Sequence, residues 1–170
     1  ETAESLHPEC INVVYGFQGE PLKAAAKDLK VTWVHQAEQL GTAHAVLQAL
    51  PHCDDASQVL ILYADVPLIT KASLEKLLNA SKDTVGLITA EFNNPTGFGR
   101  IIRNEKKEAI AIVEQKDANP EKLKIKEINT GILSANAQLL KEYLPKIKNR
   151  NAQKEFYLTD IVELMAGKNL

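Results

Sequence analysis

The chain has 170 residues, of which 45% are apolar and 25% charged, a composition typical of an ordinary water-soluble globular protein. This length suits a single domain that buries roughly 70% of the surface exposed by the unfolded chain. A net charge of −2, from 20 basic and 22 acidic residues, excludes the basic excess needed for non-specific binding to nucleic acid. No apolar run reaches the ~18 residues of a membrane span, and no signal peptide opens the chain. The sequence therefore predicts a cytoplasmic protein without membrane or nucleic-acid contacts.

Two cysteines, Cys10 and Cys53, have neither the spacing of metal ligands nor the density of a disulfide scaffold. We interpret them as buried, reduced thiols of a cytosolic protein. They indicate no redox or metal chemistry.

Short β-branched runs alternate with helix-like stretches through the first half of the chain. The predicted strands cover 11–15, 31–35, 59–63 and 85–92, and the predicted helices cover 20–29, 42–50 and 70–80. Thr42 and Thr70 are the candidate N-caps of the second and third helices. Strands that alternate with helices of this length predict βαβ units, with parallel strands and right-handed crossovers.

The second half departs from this alternation. The segment 99–115 is typical of two strands joined by a charged turn, 128–135 of a further strand, and 136–147 and 157–167 of helices. The predicted fold class is α/β: one domain over 1–170, with a mostly parallel sheet flanked by helices and an inserted antiparallel hairpin. Ligands of such sheets bind at the carboxyl ends of the strands, which directs attention to polar residues there.

The segment "HQAEQLGTAHA" (35–45) follows a predicted strand and leads into a helix. Gly41 allows close approach to the backbone, Thr42 can cap the helix, and Gln36 offers the amide donor and acceptor needed to recognise a planar heterocycle. An ordinary capped loop explains the same residues. His44 lies inside the helix and is interpreted as a packing or capping residue rather than a catalyst.

The segment "YADVP" (63–67) follows the run 59–63, which is typical of a strand buried on both faces. Asp65 at the end of that strand fits two interpretations, a surface turn or a carboxylate that binds Mg²⁺ beside phosphates and water. The residues themselves leave both open.

Weaker signals follow in the second half. Gly97 and Gly99 suit a tight loop, Glu114 ends an apolar strand, and Asn129 lies within another strand. Each has a structural explanation by itself. Together in one site they would indicate a hydroxylated ligand, since polar side chains within strands need partners.

Six segments in order resemble one family: "QAEQLGTAHA", "LYADVPLI", "NPTGFGRI", "VEQKDA", "INTGI" and "NAQKEFYLTDI". They are similar to the uridylyltransferase domain of the bacterial bifunctional N-acetylglucosamine-1-phosphate uridylyltransferases/glucosamine-1-phosphate acetyltransferases. The resemblance runs from Ile11 to the end of the chain. It implies a Rossmann-like nucleotide-diphospho-sugar transferase fold.

The resemblance also implies roles for individual residues. Gln36, Gly41 and Thr42 would contact the uracil and neighbouring groups of the nucleotide. Asp65 would be the catalytic carboxylate that holds Mg²⁺, with Tyr63 close to the sugar phosphate. The residues implied around N-acetylglucosamine are Gly99 (through its amide), Glu114, Asn129, Tyr157 and Thr159.

The implied reaction joins UTP and N-acetylglucosamine 1-phosphate to give UDP-N-acetylglucosamine and pyrophosphate, for peptidoglycan and lipopolysaccharide precursors. A sugar phosphate is already an anionic nucleophile, so the chemistry needs alignment and neutralisation of phosphate charge rather than a general base.

The sequence departs from the family pattern in several places. A glycine-rich loop of the type L-A-A-G-x-G-T-R-M, a later lysine and a second, asparagine metal ligand have no counterparts, and Ala64 stands where a glycine is usual. A C-terminal acetyltransferase domain, through which the family forms trimers, is also without a counterpart. We therefore expect a partial uridylyltransferase domain with weak or no activity of its own.

Two other hypotheses belong to different classes. A non-catalytic nucleotide-sugar binding or regulatory domain would need no phosphate loop. A flavodoxin-like receiver domain is disfavoured, because receivers carry an acidic pair after the first strand and "INVVYGFQGE" has no acidic residue before Glu20.

Overall fold

A computed structural model of the chain describes residues 1–17 and 19–167. The strands are β1 (Asn12–Tyr15), β2 (Thr32–His35), β3 (Gln58–Ile61), β4 (Gly86–Glu91), β5 (Arg100–Arg103), β6 (Ala109–Val113) and β7 (Glu127–Asn136). The helices are α1 (Gly19–Ala25), α2 (Thr42–Ala49), α3 (Lys71–Ala80), α4 (Pro120–Leu123), α5 (Ala137–Tyr143) and α6 (Asp160–Ala166). Each predicted segment contains the expected element, although most helices are shorter than predicted. The α/β class is confirmed.

The strands form two sheets whose pairing differs in part from the predicted arrangement. β1 and β2 pair in parallel, as predicted, with Asn12 opposite Thr32. In the larger sheet β7 lies between β3 and β4 and runs antiparallel to both. β3 and β4 therefore run in the same direction without being neighbours. The predicted hairpin of β5 and β6 is confirmed and extends this sheet from β7.

β7 is central because it is apolar on both faces. Successive side chains of a strand point to opposite faces, and here Leu133 joins the core beneath α5 and α6 while Ile132 packs with Leu74 and Leu77 of α3. Helices thus cover both faces of this strand, the arrangement expected for an α/β sheet.

The burial of β3 and of the cysteines differs from the predictions. The β3 residues are only half-buried, because within the described residues β3 hydrogen-bonds to β7 alone and its second edge meets no strand. Both cysteines are free thiols, but Cys10 is exposed in the segment leading to β1 and Cys53 is half-buried. The prediction that both are buried is wrong.

None of the helices placed by the structure is long and apolar enough to cross a membrane.

The pairing predicts a difference in local stability between the two sheets. β1 and β2 form a two-stranded sheet, which is marginal without further strands, whereas β7 is buried and paired on both edges. We expect the amides of β1 and β2 to exchange with deuterium at least about tenfold faster than those of β7 in native-state hydrogen exchange. Equal protection in the two sheets would contradict this description.

Candidate functional site

Two distant segments meet at the start of α2. The carbonyl of Leu40 accepts a hydrogen bond from the amide of Phe156 at 2.8 Å, and the Ala43 amide donates to the Phe156 carbonyl at 2.9 Å. Gly41 lies between them with φ of 120°, and a Cβ at this position would lie 2.5 Å from the Phe156 oxygen. Only glycine fits, on grounds of both conformation and space. The predicted close approach at Gly41 is therefore made by the protein's own backbone.

Thr42 has a different role from the predicted one. Gly41 occupies the N-cap position of α2, and Thr42 is the first residue of the helix. Its hydroxyl instead accepts a hydrogen bond from the Leu158 amide at 2.9 Å and contacts the phenol of Tyr63. The cap prediction is wrong because the hydroxyl is used between elements rather than within the helix. By contrast, Thr70 caps α3 as predicted.

Tyr63 is fixed by a glycine that the sequence analysis did not single out. Gly131 has φ of 83°, and a Cβ there would lie 2.4 Å from the Tyr63 ring. The signal was an isolated glycine inside a strand, which often marks a close approach. Burial raises the pKa of Tyr63, the hydrogen bond with Thr42 lowers it, and the nearby carboxylates of Glu114 and Asp65 raise it. Tyr63 thus lies between the start of α2 and β7, near the carboxylates of Glu114 and Asp65.

Glu114 joins the C-terminal segment to the loop that precedes β5. Its Oε1 accepts a hydrogen bond from the Thr159 hydroxyl at 3.1 Å, and both carboxylate oxygens lie 3.2 Å from where a Cβ of Gly99 would stand. Burial raises the pKa of Glu114, the Thr159 hydrogen bond lowers it, and Asp117 raises it. A carboxylate so placed is a strong acceptor for hydroxyl groups of a ligand.

Asn129 continues these contacts on β7. Its backbone amide donates a hydrogen bond to the Gly99 carbonyl at 2.9 Å, and its side-chain Oδ1 accepts one from the Gly131 backbone amide at 3.1 Å. The side-chain NH₂ of Asn129 makes no hydrogen bond to the described residues. Its neighbour Thr130 donates instead to the Ile88 carbonyl at 2.7 Å, which is a structural role.

The loop before β5 is held by a buried arginine. Arg100 is 2% exposed, and its guanidinium donates to the Phe98 carbonyl and, at 3.4 Å, to Gln115 Oε1. The same Gln115 oxygen accepts from the Gly97 amide. Arg100 therefore fixes the loop that presents Gly99. No motif or spacing in the sequence indicates this role.

Tyr157 and Gln36 complete the site. Tyr157 is 8% exposed, and its hydroxyl has no hydrogen-bond partner of normal geometry among the described residues. Burial, with nearby Asp117, Glu155 and Glu114, raises the pKa of Tyr157 to about 12, while a contact with the Gln153 backbone acts in the opposite direction. Gln36 is also 8% exposed, and its Nε2 donates to the Gly41 carbonyl at 3.2 Å.

Direct contacts link eight of the predicted site residues, and Asp65 and Tyr157 lie beside this group, near Tyr63 and Glu114 respectively. We call all ten residues the site ring. Its members are Gln36, Gly41, Thr42, Tyr63, Asp65, Gly99, Glu114, Asn129, Tyr157 and Thr159. A cavity of about 310 Å³ adjoins the ring on the Gln36 side, where it is lined by Tyr15, His35 and Gln39 among others. Gln39 donates to the Gln36 carbonyl at 2.8 Å.

Asp65 lies in an exposed turn in which the Val66 amide donates to the Tyr63 carbonyl at 3.3 Å. Its carboxylate makes no hydrogen bond or ion pair with the described residues, so it is available to a ligand. No group of three or more His, Cys, Asp or Glu side chains in the described ranges is placed to hold a metal ion. Mg²⁺ is compatible with a single carboxylate when phosphates and water supply the other ligands.

Asp160 is a further acidic residue beside the ring, and no motif in the sequence singled it out. Burial raises its pKa to about 6, and Glu163, Glu114 and Asp117 add in the same direction. It follows Thr159 directly and begins α6. Negative charge therefore accumulates on this side of the site.

Comparison with solved structures defines the fold. UDP-glucose pyrophosphorylase complexed with UDP-glucose superposes with a TM-score of 0.69 at 16% identity, over 98% of this chain and 73% of that one. The apo form of a UDP-glucose pyrophosphorylase gives 0.70 at 15% identity, over 97% and 72%. The chain has the nucleotidyltransferase fold, which confirms the predicted Rossmann-like nucleotide-diphospho-sugar transferase architecture.

Residues 1–124 match the model of the MobA-like NTP transferase domain, and the chain belongs to this family. It is 51% identical to the bifunctional protein GlmU of Idiomarina loihiensis, over 100% of this chain and 38% of that protein. The GlmU proteins of Legionella pneumophila and Coxiella burnetii are each 50% identical, over 96% and 98% of this chain and 37% of theirs. The resemblance identified from the motifs is confirmed. The chain spans little more than a third of the length of these relatives.

The contact between Gly41 and Phe156 predicts a specific cost of substitution. Gly41→Ala would place a methyl group 2.5 Å from the Phe156 oxygen in addition to straining the backbone. We expect the free energy of unfolding to fall by about 2 kcal/mol more than for Gly97→Ala. Gly97 is the matched control, because its φ of 94° carries similar strain but its Cβ would meet nothing within 4 Å. Equal losses in urea denaturation would mean that the Phe156 contact is unimportant.

The raised pKa of Asp160 predicts a pH-dependent stability. A carboxyl whose pKa is about 6 when folded and near 3.8 when unfolded binds its proton more tightly in the folded state. The protonated carboxyl therefore favours the folded state at low pH, and the free energy of unfolding falls as pH rises through this interval. Asp160→Asn should be more stable than the unchanged chain at about pH 7.5, with the difference shrinking towards about pH 4. The exposed Asp83→Asn is the control, and a gain that is the same at both pH values would refute the assignment.

Proposed function

We propose that this chain is the nucleotide-sugar-binding part of a uridylyltransferase that joins UTP and N-acetylglucosamine 1-phosphate into UDP-N-acetylglucosamine and pyrophosphate. The product would serve peptidoglycan and lipopolysaccharide precursor synthesis. The proposal is supported by family membership, by the relatives named above, and by the composition of the site ring.

The observation that carries the proposal is the group of unsatisfied polar atoms on the sugar side of the ring. The Tyr157 hydroxyl is buried without a normal partner, and the Glu114 carboxylate has lone pairs beyond the one that Thr159 uses. The NH₂ of Asn129 is likewise open to a ligand. Buried polar groups are costly unless they are paired, and a sugar with several hydroxyls and an acetamido group offers suitable donors and acceptors.

On the nucleotide side, Gln36 would contact the base beside Gly41 and Thr42. Asp65 would hold Mg²⁺, which supplies positive charge at the phosphates when it is bound. The Tyr63 ring packs against Gly131 with the carboxylates of Asp65 and Glu114 nearby, which supports a role for Tyr63 in contacting the sugar phosphate. No residue is required as a general base, because the attacking sugar phosphate is already an anion.

A second function, nucleotide-sugar binding without catalysis, is favoured by one observation. Within residues 1–17 and 19–167 no lysine or arginine forms an ion pair with Asp65, Glu114, Asp117 or Asp160. Phosphoryl transfer depends strongly on cationic groups, and loss of a single stabilising donor typically costs about 10²–10³ in rate. The two functions differ in whether pyrophosphate is released.

Titration with UDP-N-acetylglucosamine and Mg²⁺, followed by NMR chemical shifts, tests the proposal. We expect saturable binding that Glu114→Gln weakens about tenfold, because a charged acceptor facing the sugar is replaced by a neutral one. Glu105→Gln, an exposed residue outside the ring, is the matched control and should leave the affinity unchanged.

Two results would contradict the proposal: no saturable binding by the unchanged chain, or equal affinities of both variants. An assay of pyrophosphate release from UTP and N-acetylglucosamine 1-phosphate then separates the two functions. Binding without release by this polypeptide is the outcome we expect.

A further inference from the structure

His44 lies between two glutamine side chains near the start of α2. Its Nδ1 is 2.9 Å from Gln36 Nε2, and its Nε2 is 3.2 Å from Gln48 Nε2. Side chains of a helix lean towards its N-terminus, which directs the imidazole of His44 at the loop that carries Gln36. The proposed function leaves this histidine without a role.

The two contacts determine where the imidazole proton lies. A neutral imidazole has one donor nitrogen and one acceptor nitrogen, so only one of the two amide NH₂ groups has an acceptor opposite it. The Gln36 contact is shorter, and Gln36 is buried, so water does not replace the bond there. Gln48 Nε2 also donates to the His44 carbonyl at 3.2 Å, but Gln48 is only half-buried, so water can replace that bond when the amide turns its carbonyl towards a ring N–H. Nδ1 is therefore the acceptor and Nε2 carries the proton.

This tautomer fixes the orientation of the Gln36 amide. The NH₂ group has two hydrogens, which are used by His44 Nδ1 at 2.9 Å and by the Gly41 carbonyl at 3.2 Å. The remaining polar atom, Oε1, accepts no hydrogen bond from the described residues and is not enclosed. Gln36 consequently presents an acceptor, and no donor, to a ligand.

We propose that His44 is a positioning residue that makes the site select uracil over cytosine by holding the Gln36 amide with its carbonyl towards the base. This inference rests on the proposed function, in which Gln36 contacts the base. Uracil carries a hydrogen on N3 and can donate to Oε1. Cytosine has an unprotonated N3, which would set two acceptors against each other.

The test compares dissociation constants for UTP and CTP, measured by NMR titration of the full 170-residue chain with each nucleotide. The two ligands carry the same phosphates and ribose, so their ratio isolates the base, and it does not depend on the folded fraction of a variant. His44→Phe retains a ring but removes the acceptor that opposes rotation of the Gln36 amide. We expect the preference for UTP to fall about five- to tenfold, and not to vanish, since the Gly41 carbonyl still holds one hydrogen of the NH₂ group.

His44→Asn is the rescue variant, because its Oδ1 stands at the same distance along the side chain as the imidazole Nδ1. It should keep the preference of the unchanged chain. A full preference in His44→Phe, or an equal loss in His44→Asn and His44→Phe, would overturn the role of Nδ1 while leaving the proposed function intact. Failure of the unchanged chain to bind UTP, or to prefer it over CTP, would overturn base recognition by Gln36 and this inference with it.

Discussion

The site depends on the contact between the backbone of Phe156 and the turn at Gly41. Hydrogen bonds of 2.8 and 2.9 Å join the Phe156 amide and carbonyl to the turn. The Thr42 hydroxyl accepts a further hydrogen bond from the amide of Leu158, two residues beyond Phe156. These contacts bring together residues 116 positions apart in sequence. Without them the base side of the site ring, around Gln36, and the sugar side, around Tyr157 and Thr159, would be linked only through Tyr63. The absence of a Cβ at Gly41 is the physical condition for this contact.

The second constraint is the accumulation of carboxylates in a partly buried setting. Burial raises the pKa values of Glu114 and Asp160, and neighbouring carboxylates add to the increase, whereas the Thr159 hydrogen bond lowers the pKa of Glu114. Such groups cost stability in the free protein, and a ligand that donates hydrogen bonds to them recovers part of that cost. Strain and unfavourable charge are commonly concentrated where a protein binds its ligand. Binding and the pH dependence of folding should therefore be linked through the same residues.

Much of the architecture could be predicted from local sequence patterns. β-branched runs and their spacing located the strands, and Thr70 was a correct cap because its hydroxyl binds the amide of Ser73 in its own helix. The order and direction of the strands could not be predicted in this way. The position of β7 between β3 and β4 is decided by which strand can bury both faces, a property of the assembled sheet. Thr42 failed as a cap for the same reason, since its partner Leu158 is distant in sequence.

Position beside strand ends singled out most of the candidate site, the motif resemblance assigned the roles and added Tyr63, Tyr157 and Thr159, and the structure adds the supporting residues. Gly131, Arg100 and His44 contact ring members or hold the loop that presents Gly99, and no periodic pattern distinguishes them from ordinary strand or helix residues. The central claim is that the site ring is one binding site for a uridine nucleotide sugar. A crystal structure of the chain with UDP-N-acetylglucosamine and Mg²⁺ tests it directly. We expect the sugar against Glu114, Asn129 and Tyr157 with the uracil beside Gln36, and a ligand bound elsewhere would contradict a single site.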